Sequence, residues 1–336
     1  MATRDVLLRA KCRALVRSRW PEVLEADTTT DHDLPGGAAI VDPSNQTAFV
    51  LAEDHPGRSL GGAIMWARRH EATTLHVFAA ADAGLLARRA RHFAIDVTVW
   101  RIDGTTLTEA PPAAYEPDPP LGPRTEAFRA LFEQAGATTV AEGGILRAEV
   151  RGLEVARIVV DETTNEPRLA VGVGKHDREA QKEIHGDSQT LDHLFEVVRI
   201  VAEHRVAEGA GHAAFHLSPE RWLRDVVIRN SALVGAADDL EARPSPNPRD
   251  DLRAAAPAPA AGTTSDTGAP LLVVCSVGTD LDLVPAATDA HAADGRNPHI
   301  RFVVPEGDDL PSTRDLVDLL TIPADLVTVP PDWRNR

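Results

Sequence analysis

Two proline-rich stretches limit how this chain can be divided. The first, TTLTEAPPAAYEPDPPLGPR at residues 105–124, carries six prolines. Proline fixes φ and removes a backbone donor, so this run excludes helix or central strand and predicts an extended linker. The second, residues 243–269, consists mostly of Pro, Ala, Ser, Gly and Asp and has almost no large apolar side chain. Such a composition predicts a disordered linker. Three modules are left, at 1–104, 125–242 and 270–333. Hydrophobic residues make up 43 % of the 336 positions, enough to give each module a core.

The first module reads α-β-β-α-β-α-β. A helix over 4–19 comes first. The runs AAIVD and TAFVLAE, separated by Ser44-Asn45, then read as a hairpin. Ser59 is placed to cap a helix in which Leu60, Ile64 and Ala67 share a face. The third module reads β-α-β-α-β, from LLVVCSV to DLVTVP. Strands alternating with helices predict an α/β fold with mixed or parallel sheets. The strand spacings of the first and third modules are alike, which suggests a duplicated unit.

The central module reads α-β-β-β-α-β-α, with strands at ILRAEV, LEVARIVVD and RLAVGVG, a long helix over 189–209, and a last strand at HAAFHLS. This element order is similar to that of the restriction-endonuclease-like nucleases, and the similarity implies a metal-dependent attack on a phosphoester. Asp161 supplies the acid expected at a strand end. The expected acid-x-Lys does not follow, because Glu166-Pro167-Arg168 has proline and arginine in those places.

Functional side chains are densest in KHDREAQKEIHGD, residues 175–187. Six of the 13 histidines fall between His176 and His216. Arginine outnumbers lysine 32 to 3, and two of the three lysines, Lys175 and Lys182, lie in this segment. Histidine and carboxylate together can hold a divalent metal or move protons near neutral pH. The segment matches no metal signature such as HExxH. Lys175, His176 and Asp177 are the candidate catalytic residues. Asp161, His176, His185 and Asp187 are the candidate ligands for a divalent metal. In RLAVGVG, Ala170, Gly172 and Gly174 alternate with larger residues and predict a bare strand face that admits a ligand or a helix.

Charge narrows the choice of partner. Residues 1–103 are balanced, so the remainder carries the whole net charge of −16. An acidic surface repels phosphate backbones and disfavours nucleic acid. Arg4, Arg9, Lys11, Arg13, Arg17 and Arg19 nonetheless give the first helix a basic face. No apolar run reaches the roughly 18–20 residues that a membrane helix needs. The N-terminal residues lack the apolar core of a secretory signal. Two cysteines, Cys12 and Cys275, exclude a disulfide framework and fit a cytoplasmic protein. Two functions agree with these features. The favoured one is a non-enzymatic binding or regulatory protein with a protein or small-molecule partner. The alternative is a metal-dependent hydrolase built on the His/Asp cluster.

Overall fold

The computed structural model describes residues 3–25, 28–161, 163–175, 177–179, 191–247 and 251–336. The chain forms an α/β fold with three sheets and separates into two compact units. Unit 1 comprises residues 1–115, 281–289 and 310–324, and unit 2 comprises 116–280, 290–309 and 325–336. Among the described residues no helix is long and apolar enough to cross a membrane.

Unit 1 holds a six-stranded sheet in the order β1-β2-β3-β4-β5-β6. Its strands are β1 (Thr30–Leu34), β2 (Gly37–Asp42), β3 (Thr47–Ala52), β4 (Thr74–Ala79), β5 (Asp96–Asp103) and β6 (Thr106–Glu109). The pairs β3/β4 and β4/β5 are parallel and the others antiparallel. Helix α1 (Arg4–Arg19) buries Leu8, Cys12, Leu15 and Val16 in a core with Ile40, Phe49, Phe78 and Trp100. The short α2 (Pro21–Glu25) follows it. Its basic residues are paired within the unit: Arg4 with Asp54, Arg9 with Asp33, Lys11 with Glu53, Arg13 with Asp31. Helix α3 (Leu60–Arg69) buries the expected Leu60, Ile64 and Ala67, and Gly61 as well. Ser59 does not cap it; its hydroxyl donates to the Pro56 carbonyl. In α4 (Ala83–Ala90) the fully buried Arg89 donates to Asp282, Asp289 and the Gly57 carbonyl.

Unit 2 carries two sheets. The first is a four-stranded antiparallel meander in the order β10-β9-β8-β7. Its strands are β7 (Thr138–Glu142), β8 (Ile145–Val150), β9 (Leu153–Val160) and β10 (Pro167–Val171). The short helices α5 (Pro123–Glu126) and α6 (Arg129–Gln134) precede it, and α7 (Leu191–His204) follows. Phe132 of α6 and Leu194, Val198 and Val201 of α7 join its core. The second sheet runs β11 (Glu241–Ala242), β12 (Ala258–Thr263), β13 (Pro270–Cys275), β14 (His299–Pro305) and β15 (Ala324–Val329). Helix α8 (Pro219–Arg229) covers it with Trp222, Leu223, Val226 and Val227. Along the chain, α9 (Leu283–Asp294) follows β13 and α10 (Pro311–Asp318) follows β14; α10 and most of α9 belong to unit 1. An antiparallel pair followed by a parallel one across a helix occurs in both large sheets, at β2/β3/β4 and at β12/β13/β14.

Several expectations need correction. Residues 243–269 include a buried strand: β12 pairs along its whole length with β13. Apolar bulk does not signal this strand, because its neighbours exclude bulk: a Cβ on Gly262 would lie 2.6 Å from the Asp239 carboxylate. Residues 105–124 include β6, which pairs with β5 because Thr106–Glu109 precedes the first proline. The central module has a further strand, β7, and residues 213–216 form a 3-10 turn where a strand was expected. Its meander therefore departs from the α-β-β-β-α-β-α order shared with the nucleases. β10 ends at Val171, so Gly172 lies in the bend that follows and Gly174 at a helix start, neither of them on a strand face. Their φ values of +137° and +75° are ones that other residues rarely adopt.

The β8–β9 hairpin docks on α8 through its turn, Arg151-Gly152, where both residues have positive φ. A Cβ on Gly152 would lie 2.2 Å from the Arg221 backbone. Gly152→Ala is expected to cost at least about 1–3 kcal/mol through overpacking and backbone strain. Urea denaturation measures this, and an unchanged midpoint would show that the hairpin can withdraw from α8 at no cost.

Candidate functional site

Three neighbouring strands of the meander each bury a carboxylate. Glu142 ends β7, Glu149 lies near the end of β8 and Glu154 near the start of β9, all 4 % exposed or less. An ionised carboxylate is stable in such surroundings only with close cationic partners. Helix α8 supplies two of them. With Trp222 and Leu223 turned into the neighbouring core, Arg221 and Arg224 reach Glu149. Arg221 Nη2 also donates to both oxygens of Glu142, each at 2.9 Å. The Ser245 amide donates to Glu142 as well.

Glu154 has a different set of partners. Arg147 reaches one of its oxygens at 2.6 Å, Arg157 holds both at 2.6 and 3.0 Å, and Arg178 donates at 3.0 Å. Arg147 on β8 lies across from Arg157, which is three residues along β9 from Glu154, and Arg178 follows the turn after β10. Three guanidinium groups therefore converge on one carboxylate.

Glu142, Glu154, Arg147, Arg157, Arg178 and Arg221 wall a cavity of about 350 Å³ within unit 2. Lys175, Glu220 and Asp251 also line it, with Leu252, Ala254 and Ala256 as its apolar part. Ser218 supplies a hydroxyl whose Oγ lies 3.5 Å from the Leu252 carbonyl. Burial raises the pKa of Glu149, but Arg224 and Arg221 more than reverse this and bring it from an ordinary 4.5 down to about 2. Glu142 shows the same opposition and also ends below its ordinary value. Both are held ionised.

The structure separates the residues expected to form a site. Lys175 lines the cavity, largely exposed, with Glu179 3.9 Å away. Asp177 accepts the Val173 amide at 2.7 Å and so closes the turn after β10. Asp161 accepts the Thr163 and Thr164 amides, which hold its carboxyl below the ordinary range, and it forms the turn between β9 and β10. Asp161 and Lys175 thus stand at opposite ends of β10. His176, His185 and Asp187 lie outside the described residues. Among the described residues no three His, Cys, Asp or Glu side chains form a group able to hold a metal ion. His204 and His212 stack at 4.1 Å, and each engages backbone through Nδ1.

Sequence reasoning passed over the cavity's charged walls. On β8 Arg147 alternates with apolar residues, which resembles the solvated face of an ordinary strand, and Glu142, Glu154 and Arg157 are single charges within apolar runs. The only available signal was the recurrence of such charges on successive strands.

Because folding lowers the pKa of Glu149, its contribution is complete above about pH 4.5 and is lost as pH falls toward 2. The shift corresponds to stability on the order of 3 kcal/mol. Glu149→Gln is expected to destabilise the protein at neutral pH by about 3–5 kcal/mol, because the buried Arg224 loses its counter-charge and Arg221 loses one of its two. It should also flatten the decline in stability between about pH 5 and 2. Denaturation midpoints of both proteins across that range check this, and parallel profiles would contradict it.

No protein-family model, curated protein or solved structure matches this chain.

Proposed function

We propose that this protein is a non-enzymatic binding or regulatory protein, and that the cavity of unit 2 is its ligand site. One observation carries the reading: the cavity's buried carboxylates Glu142 and Glu154 are each held in close ion pairs with arginine. Arginine also keeps Glu142 ionised. A general acid or base needs a pKa near the working pH, and arginine does not supply one. Among the described residues no imidazole is hydrogen-bonded to the Ser218 hydroxyl, the pairing that would activate it. Fixed dipoles and charges around a preformed concavity suit recognition. Both cysteines are free and buried, which fits a cytoplasmic setting.

The test is thermal denaturation against a mixed panel of small polar metabolites, with and without added Mg²⁺, Mn²⁺ and Zn²⁺. A ligand present at a hundred times its Kd adds about 2.7 kcal/mol, a rise of several degrees in Tm. At least one metabolite is expected to give a concentration-dependent rise, with no turnover. Stoichiometric divalent metal in the purified protein, together with hydrolysis of a model phosphoester, would replace this reading with the metal-dependent hydrolase.

A further inference from the structure

The cavity reverses the sign of the chain's charge. Across the sequence 51 acidic residues face 35 basic ones. In the cavity wall Arg147, Arg157, Lys175, Arg178 and Arg221 outnumber the carboxylates. Pairing makes the imbalance local. Arg221 and Arg224 answer Glu142 and Glu149 charge for charge. Glu154 alone answers Arg157 and Arg178, and Arg147 divides itself between Glu154 and Glu142. Glu220 and Asp251 bring the carboxylates in the wall to four, against five basic side chains, and Asp177 and Asp251 also accept the Val173 and Arg253 amides.

The excess bears on Arg178 most directly. Among the described residues its guanidinium donates only to Glu154 and, at 3.4 Å, to the Gly172 carbonyl. Burial lowers its pKa; Glu154 and, more weakly, Asp177 oppose this, and the neighbouring Arg157 and Arg147 add to it. An anion seated among these groups removes that repulsion and uses donors that Glu154 leaves over. Guanidinium groups are suited to this, since their forked donors match the geometry of carboxylate and phosphate oxygens.

We infer that the cavity takes a small aliphatic dianion, a phosphomonoester or a dicarboxylate, held by Arg147, Arg157 and Arg178 with Lys175 at the exposed side. This inference rests on the cavity being a ligand site. The aliphatic body follows from the lining, whose apolar part is Leu252, Ala254 and Ala256 and which includes no aromatic ring among the described residues. A nucleobase would find no aromatic ring to stack on among the described residues. A volume of about 350 Å³ fits a molecule of this size.

Calorimetric titration of the full chain at low ionic strength tests this with glycerol 3-phosphate, inorganic phosphate and succinate. Glycerol and succinamide serve as neutral counterparts, and AMP as an aromatic one. The phosphates and succinate distinguish the two kinds of dianion. The expected result is that at least one aliphatic dianion binds more tightly than AMP, that its neutral counterpart does not bind, and that added salt weakens the interaction. Arg178→Met should lower the affinity at least tenfold while Glu154 keeps Arg147 and Arg157. Lys175→Ala, at an exposed position, should lower it without affecting folding. Dianion affinity unchanged in both variants overturns the inference, because binding then occurs elsewhere. Binding of a neutral counterpart without its dianion overturns the charge assignment and leaves the ligand site standing. No response to this set or to the metabolite panel removes both.

Discussion

Three buried carboxylates on adjacent strands set the terms for unit 2. Each must leave water, and none is stable there without a close cation. Glu142 and Glu149 find theirs on α8, whose opposite side is committed to the apolar core around Trp222 and Leu223. One helix therefore packs against one sheet by burial and against the other by charge. The requirement is mutual. Withdrawing α8 would strand two carboxylates in the meander, and removing the carboxylates would strand two guanidinium groups on α8.

Arginine does related work elsewhere in the unit. The Arg205 side chain is buried, and its guanidinium donates to the carbonyls of Arg151, Ala214, Leu217 and Ser218. It also lies 4.6 Å from the Trp222 ring centre. Burial lowers its pKa to about 9, with Glu149 the largest opposing charge. Four acceptors spread over two loops can be gathered only by a planar group with several fixed donors. Lysine, with three donors on a single nitrogen, cannot span them. The chain's strong preference for arginine over lysine thus has a structural consequence, whatever its origin.

The cavity follows from the same geometry. Strand pairing brings Arg147 and Arg157 opposite each other on β8 and β9. The turn after β10, set by the left-handed Gly172 and Gly174 and closed by Asp177, brings Arg178 to the same carboxylate. Glycines that suggested room for a ligand act one step earlier, by letting the backbone reverse so that Arg178 can reach Glu154. A Cβ on Gly172 would lie 2.9 Å from the Asp177 carboxylate and 3.0 Å from the Arg178 amide.

Periodicity and punctuation alone determined much of the outline: the strand–helix alternation over residues 37–103, the buried face of α3, the central hairpins, and the absence of an apolar stretch long enough for a membrane helix. These follow from local rules, since apolar spacing and turn residues act within a few positions of each other. Tertiary structure decided the rest. Ala258–Thr263 has the composition of a linker and becomes a central strand because β13 pairs with it along its whole length and β11 pairs on its other edge. Glu142, Glu149 and Glu154 look like surface charges, and only the packing of α8 and the turn after β10 buries them beside their arginines. No local pattern encodes that outcome, because the partners lie up to 79 positions apart and their ionisation depends on burial that exists only once the chain has folded.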